Sequence, residues 1–170
     1  MTPRSREEIL RFFKARHSVR AFRDKPVTDE DINLLVEAAA LAPTARNIQP
    51  WEFIIIRDKD RLEVLTQMVS PNGALMGGAA VGIVVFCKDT KYYLEDGSAA
   101  IVQALLAAAA LGLGTCWIAG DKKDYAGKVR EFCKAGEGLL LVGLIAVGYP
   151  AESPTPKKRS LDEMMHKETF

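Results

Sequence analysis

Two histidines and three cysteines are all the imidazole and thiol ligands that the 170 residues contain. His17 and His166 are too few and too far apart for a zinc centre. Cys87, Cys116 and Cys133 are odd in number and widely spaced, so they match neither a zinc pattern nor a disulfide framework. They are expected to be plain core or surface residues. Charge of one sign is also lacking. The formal net charge is +1, so no global field draws the chain to nucleic acid or to a membrane, and any anion must be recognised locally. Long apolar runs are missing too: "AAIVQALLAAAALGLG" and "LLLVGLIAVGYP" fall short of a membrane span or are broken by Gly and Gln. Met1 to Lys14 is charged and has no apolar h-region, so no signal peptide is expected, and the expected setting is a reducing cytoplasm. No Gly-x-Ser-x-Gly elbow and no phosphate-binding P-loop occur, and nothing near Cys116 in the sequence supplies a base or a cation.

What is present has the balance of an ordinary globular protein, with 48% hydrophobic and 26% charged residues. The length suits one domain over 1–170, and no internal repeat or linker divides it. Ser5 and Glu8 stand at capping-box spacing ahead of Ile9, Phe12 and Phe13, which predicts a helix ending near Arg16. Thr28 should cap a second helix whose apolar stripe is Ile32, Leu35, Val36 and Ala39. "WEFIIIRD" predicts a strand, "DKDRLEVLTQMVS" a helix, Pro71-Asn72-Gly73 a turn and "AVGIVVFCK" a buried strand. "YLEDGSAAIVQALLAAAALGLG" predicts a long Ala-rich helix stopped by Gly112 and Gly114, with Glu95 and Asp96 as acidic residues at its start. "TCWIAG", "DYAGKVREFC" and "LLLVGLIAVGYP" then predict a strand, a weak helix and a buried strand, before a proline-rich tail that ends amphipathic. The sum is an α+β sheet covered by helices. The long helix is apolar on nearly every side, so burial all round would require a second subunit, most simply a homodimer.

Four segments carry chemical potential. "RHSVR" places Arg16, His17, Ser18 and Arg20 at the end of the first helix. In extended spacing its arginines and serine alternate onto one side, offering guanidinium forks and a hydroxyl to a phosphate monoester. The same residues alone equally describe a solvated basic patch. "APTARNIQPWEF" offers amides from Asn47 and Gln49 between Pro43 and Pro50, or simply a loop that satisfies itself. In "GLGTCWIAG" the glycines permit close backbone approach to a planar ligand, but this is no dinucleotide fingerprint, since the third glycine is absent. "PKKRS" gives a second basic cluster, Lys157 to Arg159, in the tail.

Together and in this order, "RHSVR", "APTARNIQPW", "LGLGTCWI", "VGYP" and "PKKRS" resemble the nitroreductase family of flavin enzymes over roughly residues 5 to 162. The resemblance implies a nitroreductase-like central β-sheet flanked by helices, with the long buried helix at a dimer interface. It implies FMN as cofactor. Arg16 and Ser18 would meet its phosphate, with Lys157 and Arg159 closing from a tail (151–170) that extends over the partner subunit. His17 would act through its backbone, and Arg20 would stand beside flavin N1 and O2. Pro43, Thr44, Ala45 and Asn47 would reach FMN from the other subunit, while Ala119 and Gly120 would face N5. The implied reaction is ping-pong: NAD(P)H reduces the flavin at N5, and a nitroaromatic or quinone then takes the electrons. The alternatives are a non-catalytic FMN-binding module or a flavoenzyme reduced by a protein donor. The chain departs from the family where Thr44-Ala45 replaces a serine pair, and where only "KDTK" stands in place of a helical lid between Cys87 and Tyr92.

Overall fold

Four apolar, β-branched runs form one antiparallel sheet in the order β1-β2-β4-β3. They are β1 (Trp51–Ile56), β2 (Val81–Lys88), β3 (Gly114–Ala119) and β4 (Leu139–Gly148) in a computed structural model that describes residues 5–170. Met1 to Arg4, the start of the charged N-terminal segment, lie outside the described residues. Helices cover both faces of the sheet, and for this reason β2 and β4 are apolar almost without interruption. On one face α2 (Asp29–Ala40) and α4 (Tyr93–Ala110) pack on Ile83, Val85, Ile145 and Val147. On the other, α3 (Lys59–Val69), α5 (Ala126–Phe132) and a 3-10 turn at Ala74–Gly78 pack on Val84, Phe86 and Leu144. That turn follows directly from the predicted Pro71-Asn72-Gly73 turn.

The helix ends follow their local chemistry. Ser5 and Glu8 form the capping box of α1 (Arg6–Ala15), and the Thr28 and Asp58 side chains accept from the third backbone N–H of α2 and α3. Gly112, at φ +74°, closes α4: its N–H donates to the Ala109 carbonyl and the Leu113 N–H to the Ala108 carbonyl. Gly114 does not stop the helix; it opens β3, where a Cβ would lie 2.9 Å from Val19 Cβ.

The α1 stripe is only partly covered in this chain: Phe12 is half-buried, while Ile9 is 43% and Phe13 54% exposed. Helix α4 is not covered all round within one chain: Val102, at its midpoint, is 43% exposed, which leaves one side for the second subunit that the apolar pattern calls for. The tail from Ala151 onward is exposed except at half-buried Pro154, and its end forms turns.

Candidate functional site

The segment after α1 is zipped to two strands. Arg16 is already extended, Ser18 bridges Thr115 and the Val19 N–H donates to the Thr115 carbonyl at 2.8 Å. Val19 is buried, Arg16, His17 and Ser18 are half-buried and Arg20 is exposed. The chain then runs beside the end of β4, where the Arg23 N–H donates to the Tyr149 carbonyl at 2.8 Å. Glu152, which the sequence did not single out, fixes this corner: one carboxylate oxygen accepts the N–H groups of Arg20 at 2.5 Å and Ala21 at 3.2 Å. The Arg20 guanidinium donates to the Ser18 carbonyl at 3.2 Å. Among the described residues, neither Arg16 nor Arg20 is ion-paired. Their charges reach Cys116: burial pushes its thiol up, and Arg20 and Arg16 pull it down. The expectation that Cys116 lacks cationic neighbours is therefore wrong, yet burial dominates and keeps the thiol protonated. A pocket of about 350 Å³ opens beside Arg16 and His17, between Leu113, Thr115 and Glu152; Ser18 and Arg20 do not line it.

The second group is the loop from α2 to β1. Arg46, Asn47 and Gln49 are all left-handed, at φ 54°, 58° and 51°, within a loop that contains no glycine. Its restraint comes from α4. The Thr44 hydroxyl donates to Asp96 Oδ2 at 2.9 Å, and the Ala45 N–H donates to Asp96 Oδ1 at 3.1 Å. The Gln49 N–H donates back to Thr44 Oγ1 at 3.2 Å. Asp96 is only 5% exposed. Capping does not explain it, since Tyr92 holds the N-cap position without a side-chain bond and Asp96 points to another segment. Pro43 and Asn47 stay exposed at the ends of this loop.

Ala119 and Gly120 end β3 next to a bulge in β4, where Val142 interrupts the register between Val85 and Phe86. The Val142 carbonyl accepts from Gly120 N–H at 3.2 Å and from Asp121 N–H at 3.3 Å. Only glycine fits at 120, because a Cβ would lie 2.6 Å from Leu141 Cγ and 2.8 Å from the Gly143 nitrogen. The Tyr125 hydroxyl donates to the Ala119 carbonyl, and the Tyr93 hydroxyl donates to the Asp121 carboxylate. The latter bond pushes Tyr93 up to about 12.

Helix α4 thus organises two ends. Its first turn, with Tyr93 and Asp96, holds the Thr44 loop and the Gly120–Asp121 corner. Its last turn reaches the pocket beside Arg16 and His17 through Ala109. From Asp96 to Ala109 the helix rises about 20 Å. Within one chain, then, Arg16, His17, Ser18 and Arg20 come together; Pro43, Thr44, Ala45 and Asn47 form a separate group at the far end. Lys157 and Arg159 join neither, standing in the exposed tail, where the Arg159 guanidinium donates to the Glu163 carbonyl. Among the described residues no cluster of His, Cys, Asp and Glu is arranged to hold a metal ion, and no helix is long and apolar enough to cross a membrane.

The model of the family described as "Nitroreductase family" matches residues 13–75 and 66–149. The chain belongs to the nitroreductase family. A provisionally named NADH dehydrogenase/NAD(P)H nitroreductase of Archaeoglobus fulgidus is 34% identical over 154 residues, covering 86% of this chain and 87% of that protein. The FMN-dependent nitroreductase of Clostridium difficile R20291 superposes with a TM-score of 0.88 at 30% identity, over 94% of this chain and 98% of the other. A provisionally named nitroreductase of Desulfovibrio desulfuricans, solved in complex with FMN, gives 0.83 at 29% identity, over 98% and 99%. The nitroreductase match therefore spans the sheet, both helical layers and both residue groups. Sequence reasoning missed Asp96, Glu152 and the Tyr93–Asp121 pair. Each acts on a residue 28 or more positions away, so no local spacing could reveal it.

Proposed function

We propose that the chain is an FMN-dependent NAD(P)H oxidoreductase that reduces a small conjugated acceptor such as a nitroaromatic or a quinone, and that it works as a homodimer. When bound, FMN supplies the hydride-accepting and hydride-donating atom at ring N5, so the protein needs no catalytic acid or base side chain. The residues fit that group. The Arg16 guanidinium, which among the described residues has no carboxylate partner, and the neighbouring Ser18 hydroxyl suit a phosphate, and the Arg20 guanidinium, also without an ion pair, supplies a second positive charge for the ring. Glu152 is ion-paired with neither: one of its carboxylate oxygens accepts the backbone N–H groups of Arg20 and Ala21.

In this reading Arg16 and Ser18 hold the phosphate, with His17 contributing backbone. Arg20 holds a fixed positive charge at the N1 and O2 edge of the ring, where reduction leaves negative charge. Ala119 and Gly120 line the N5 side, with Gly120 sharing the Val142 carbonyl with Asp121. Pro43, Thr44, Ala45 and Asn47 enter from the partner. The observation that carries the composite site is the separation of the two residue groups along α4. A two-fold axis near the exposed midpoint Val102 lays a second α4 antiparallel to the first, and brings the far loop of one chain to the Arg16 end of the other. The same association covers the apolar surface that α1 leaves open, and gives the tail, with exposed Leu161, Met164 and Met165, a surface to cross while carrying Lys157 and Arg159. The single domain then comprises the whole of 1–170, its last twenty residues (151–170) belonging spatially to the partner.

Val102→Arg tests this directly. Sizing should show a dimer for the unaltered protein and a monomer for the variant, and the monomer should lose FMN. A folded monomer that retains FMN with undiminished affinity would contradict the composite site.

A further inference from the structure

The loop Pro43–Gln49 poses a physical problem. Three of its non-glycine residues are left-handed, a backbone state that costs free energy and persists only where surroundings impose it. The loop's own polar contacts are few: the Gln49 side-chain amide reaches the Asn47 carbonyl at 3.4 Å, and short 3-10 bonds link Asn47 N–H to Thr44 and Ile48 N–H to Ala45. Among the described residues, its hydrogen bonds to the rest of the molecule go to a single carboxylate.

The Asp96 geometry is two-pronged. Oδ2 accepts the Thr44 hydroxyl and Oδ1 accepts the Ala45 N–H, so two consecutive loop residues are fixed in distance and direction. The carboxylate is buried, and charge-assisted bonds at low dielectric are the strong ones. Thr44 Oγ1 in turn accepts the Gln49 N–H at 3.2 Å, closing the loop across its left-handed residues. The threonine hydroxyl therefore has its proton and one acceptor position committed inside the protein, which leaves it poorly placed to be a ligand donor. The next residue, Gly97, has no room for a Cβ against Val142 and Cys87, so the helical turn carrying Asp96 lies hard on the sheet and cannot drift. Three residues before Asp96, at the start of α4, Tyr93 ties the same helical turn to Asp121 beside Gly120.

We infer that Asp96 is a positioning residue for the flavin site: through Thr44 and the Ala45 amide it sets the strained loop in the one shape that presents Asn47 and the adjoining backbone to FMN, and Thr44 serves this clamp rather than contacting the cofactor by its hydroxyl. The inference rests on the FMN-binding reading given above. It makes a pair that the sequence separates by 52 positions act as one unit.

The test uses the unaltered 170-residue protein and four variants: Asp96→Ala, Thr44→Val, Thr44→Ser and the Asp96→Ala/Thr44→Val double. FMN affinity, the visible circular dichroism of bound flavin and melting temperature are measured for each. Asp96→Ala and Thr44→Val should each weaken FMN at least about tenfold, corresponding to one lost charge-assisted bond. Both should also alter the flavin dichroism, and the double variant should be no worse than Asp96→Ala. Thr44→Ser keeps the hydroxyl and should restore both affinity and dichroism. Thr44→Val, which removes one oxygen and keeps the shape, serves if Asp96→Ala does not fold. Unchanged affinity and dichroism in folded Thr44→Val, or additive losses in the double variant, would overturn the inference while leaving FMN binding intact. If the unaltered protein binds no FMN, the functional reading fails. Hydrogen exchange then decides the clamp: amides 45–49 should exchange faster in Thr44→Val, and unchanged exchange would refute it too.

Discussion

Replacing a glycine inside a helix with alanine ordinarily stabilises a protein by about 0.8–1.0 kcal/mol. At Gly97 the opposite is expected. A Cβ there would lie 2.7 Å from Val142 Cγ2 and 2.8 Å from Cys87 Sγ. Neither neighbour can retreat, because Val142 is 2% and Cys87 0% exposed, both wedged between α4 and the central strands. Overpacking of this kind costs about 1–3 kcal/mol. Offset by the helical gain, Gly97→Ala should lose about 1 kcal/mol net. For a domain of this size that lowers the melting temperature by about 2–4 °C. The control is Gly127→Ala in α5, where nothing lies within 4 Å of the added carbon and the substitution should be neutral or stabilising. Adding Cys87→Ala to Gly97→Ala removes the clashing sulfur, and a double-mutant cycle should show a favourable coupling between the two sites. Thermal unfolding followed by circular dichroism reads the unaltered protein, the three single variants and the double variant. If Gly97→Ala melts at or above the unaltered protein, helix propensity outweighs the close approach, and the argument that α4 is seated hard on the sheet beside Asp96 is wrong.

Three other outcomes follow from the same structure. Arg16→Ala should weaken FMN binding about 10- to 100-fold, the loss of a charge-assisted phosphate contact at a half-buried position, measured by flavin fluorescence titration. Arg20→Ala should keep some FMN bound while slowing its reduction and lowering its potential, seen by anaerobic stopped flow and redox titration; unchanged reduction kinetics would refute the role given to Arg20. Stability should fall at alkaline pH. Burial pushes Cys87 up to about 12 from an ordinary value of 9.0, so its contribution is intact below pH 9 and is lost as pH rises towards 12, because only the unfolded thiol ionises there. Tyr93, pushed up to about 12 by its bond to Asp121, acts in the same direction above pH 10. Melting temperatures from pH 8 to 11 should therefore decline from about 9, and Cys87→Ala should lessen the earlier part of the decline, to which Cys116 and Cys133, also pushed up by burial, contribute in the same direction.

Local chemistry was legible in the sequence. The Ser5–Glu8 capping box, the Thr28 cap, the Gly112 stop and the strands around Val84, Trp117 and Leu144 all depend on neighbours a few positions apart, and the fold has them where the residue pattern places them. The layered α+β architecture follows from those elements. What the sequence hides is any feature decided by a distant partner. Asp96 has the spacing of an acidic helix start, and only the tertiary fold brings Thr44 to it. Glu152 sits in a proline-rich connector and gives no sign that its carboxylate binds the backbone at Arg20. Gly114 looks like a second helix stop, but its lack of a Cβ answers to Val19. Helix α1 has a sound apolar stripe at Ile9, Phe12 and Phe13, yet periodicity cannot say whether the covering surface belongs to the same chain. In each case the element was readable and its partner was not.

The most direct measurement is the absorbance spectrum of the purified protein, taken without oxygen before and after addition of NADH and then NADPH. The account predicts a yellow protein with a flavin spectrum that bleaches rapidly with at least one of the two nucleotides and recovers its colour when a quinone is added. A flavin spectrum inert to both nucleotides would support a non-catalytic flavoprotein or a protein electron donor instead. A colourless protein that takes up no added FMN would contradict the account and return the Arg16–Arg20 segment to a solvated basic surface.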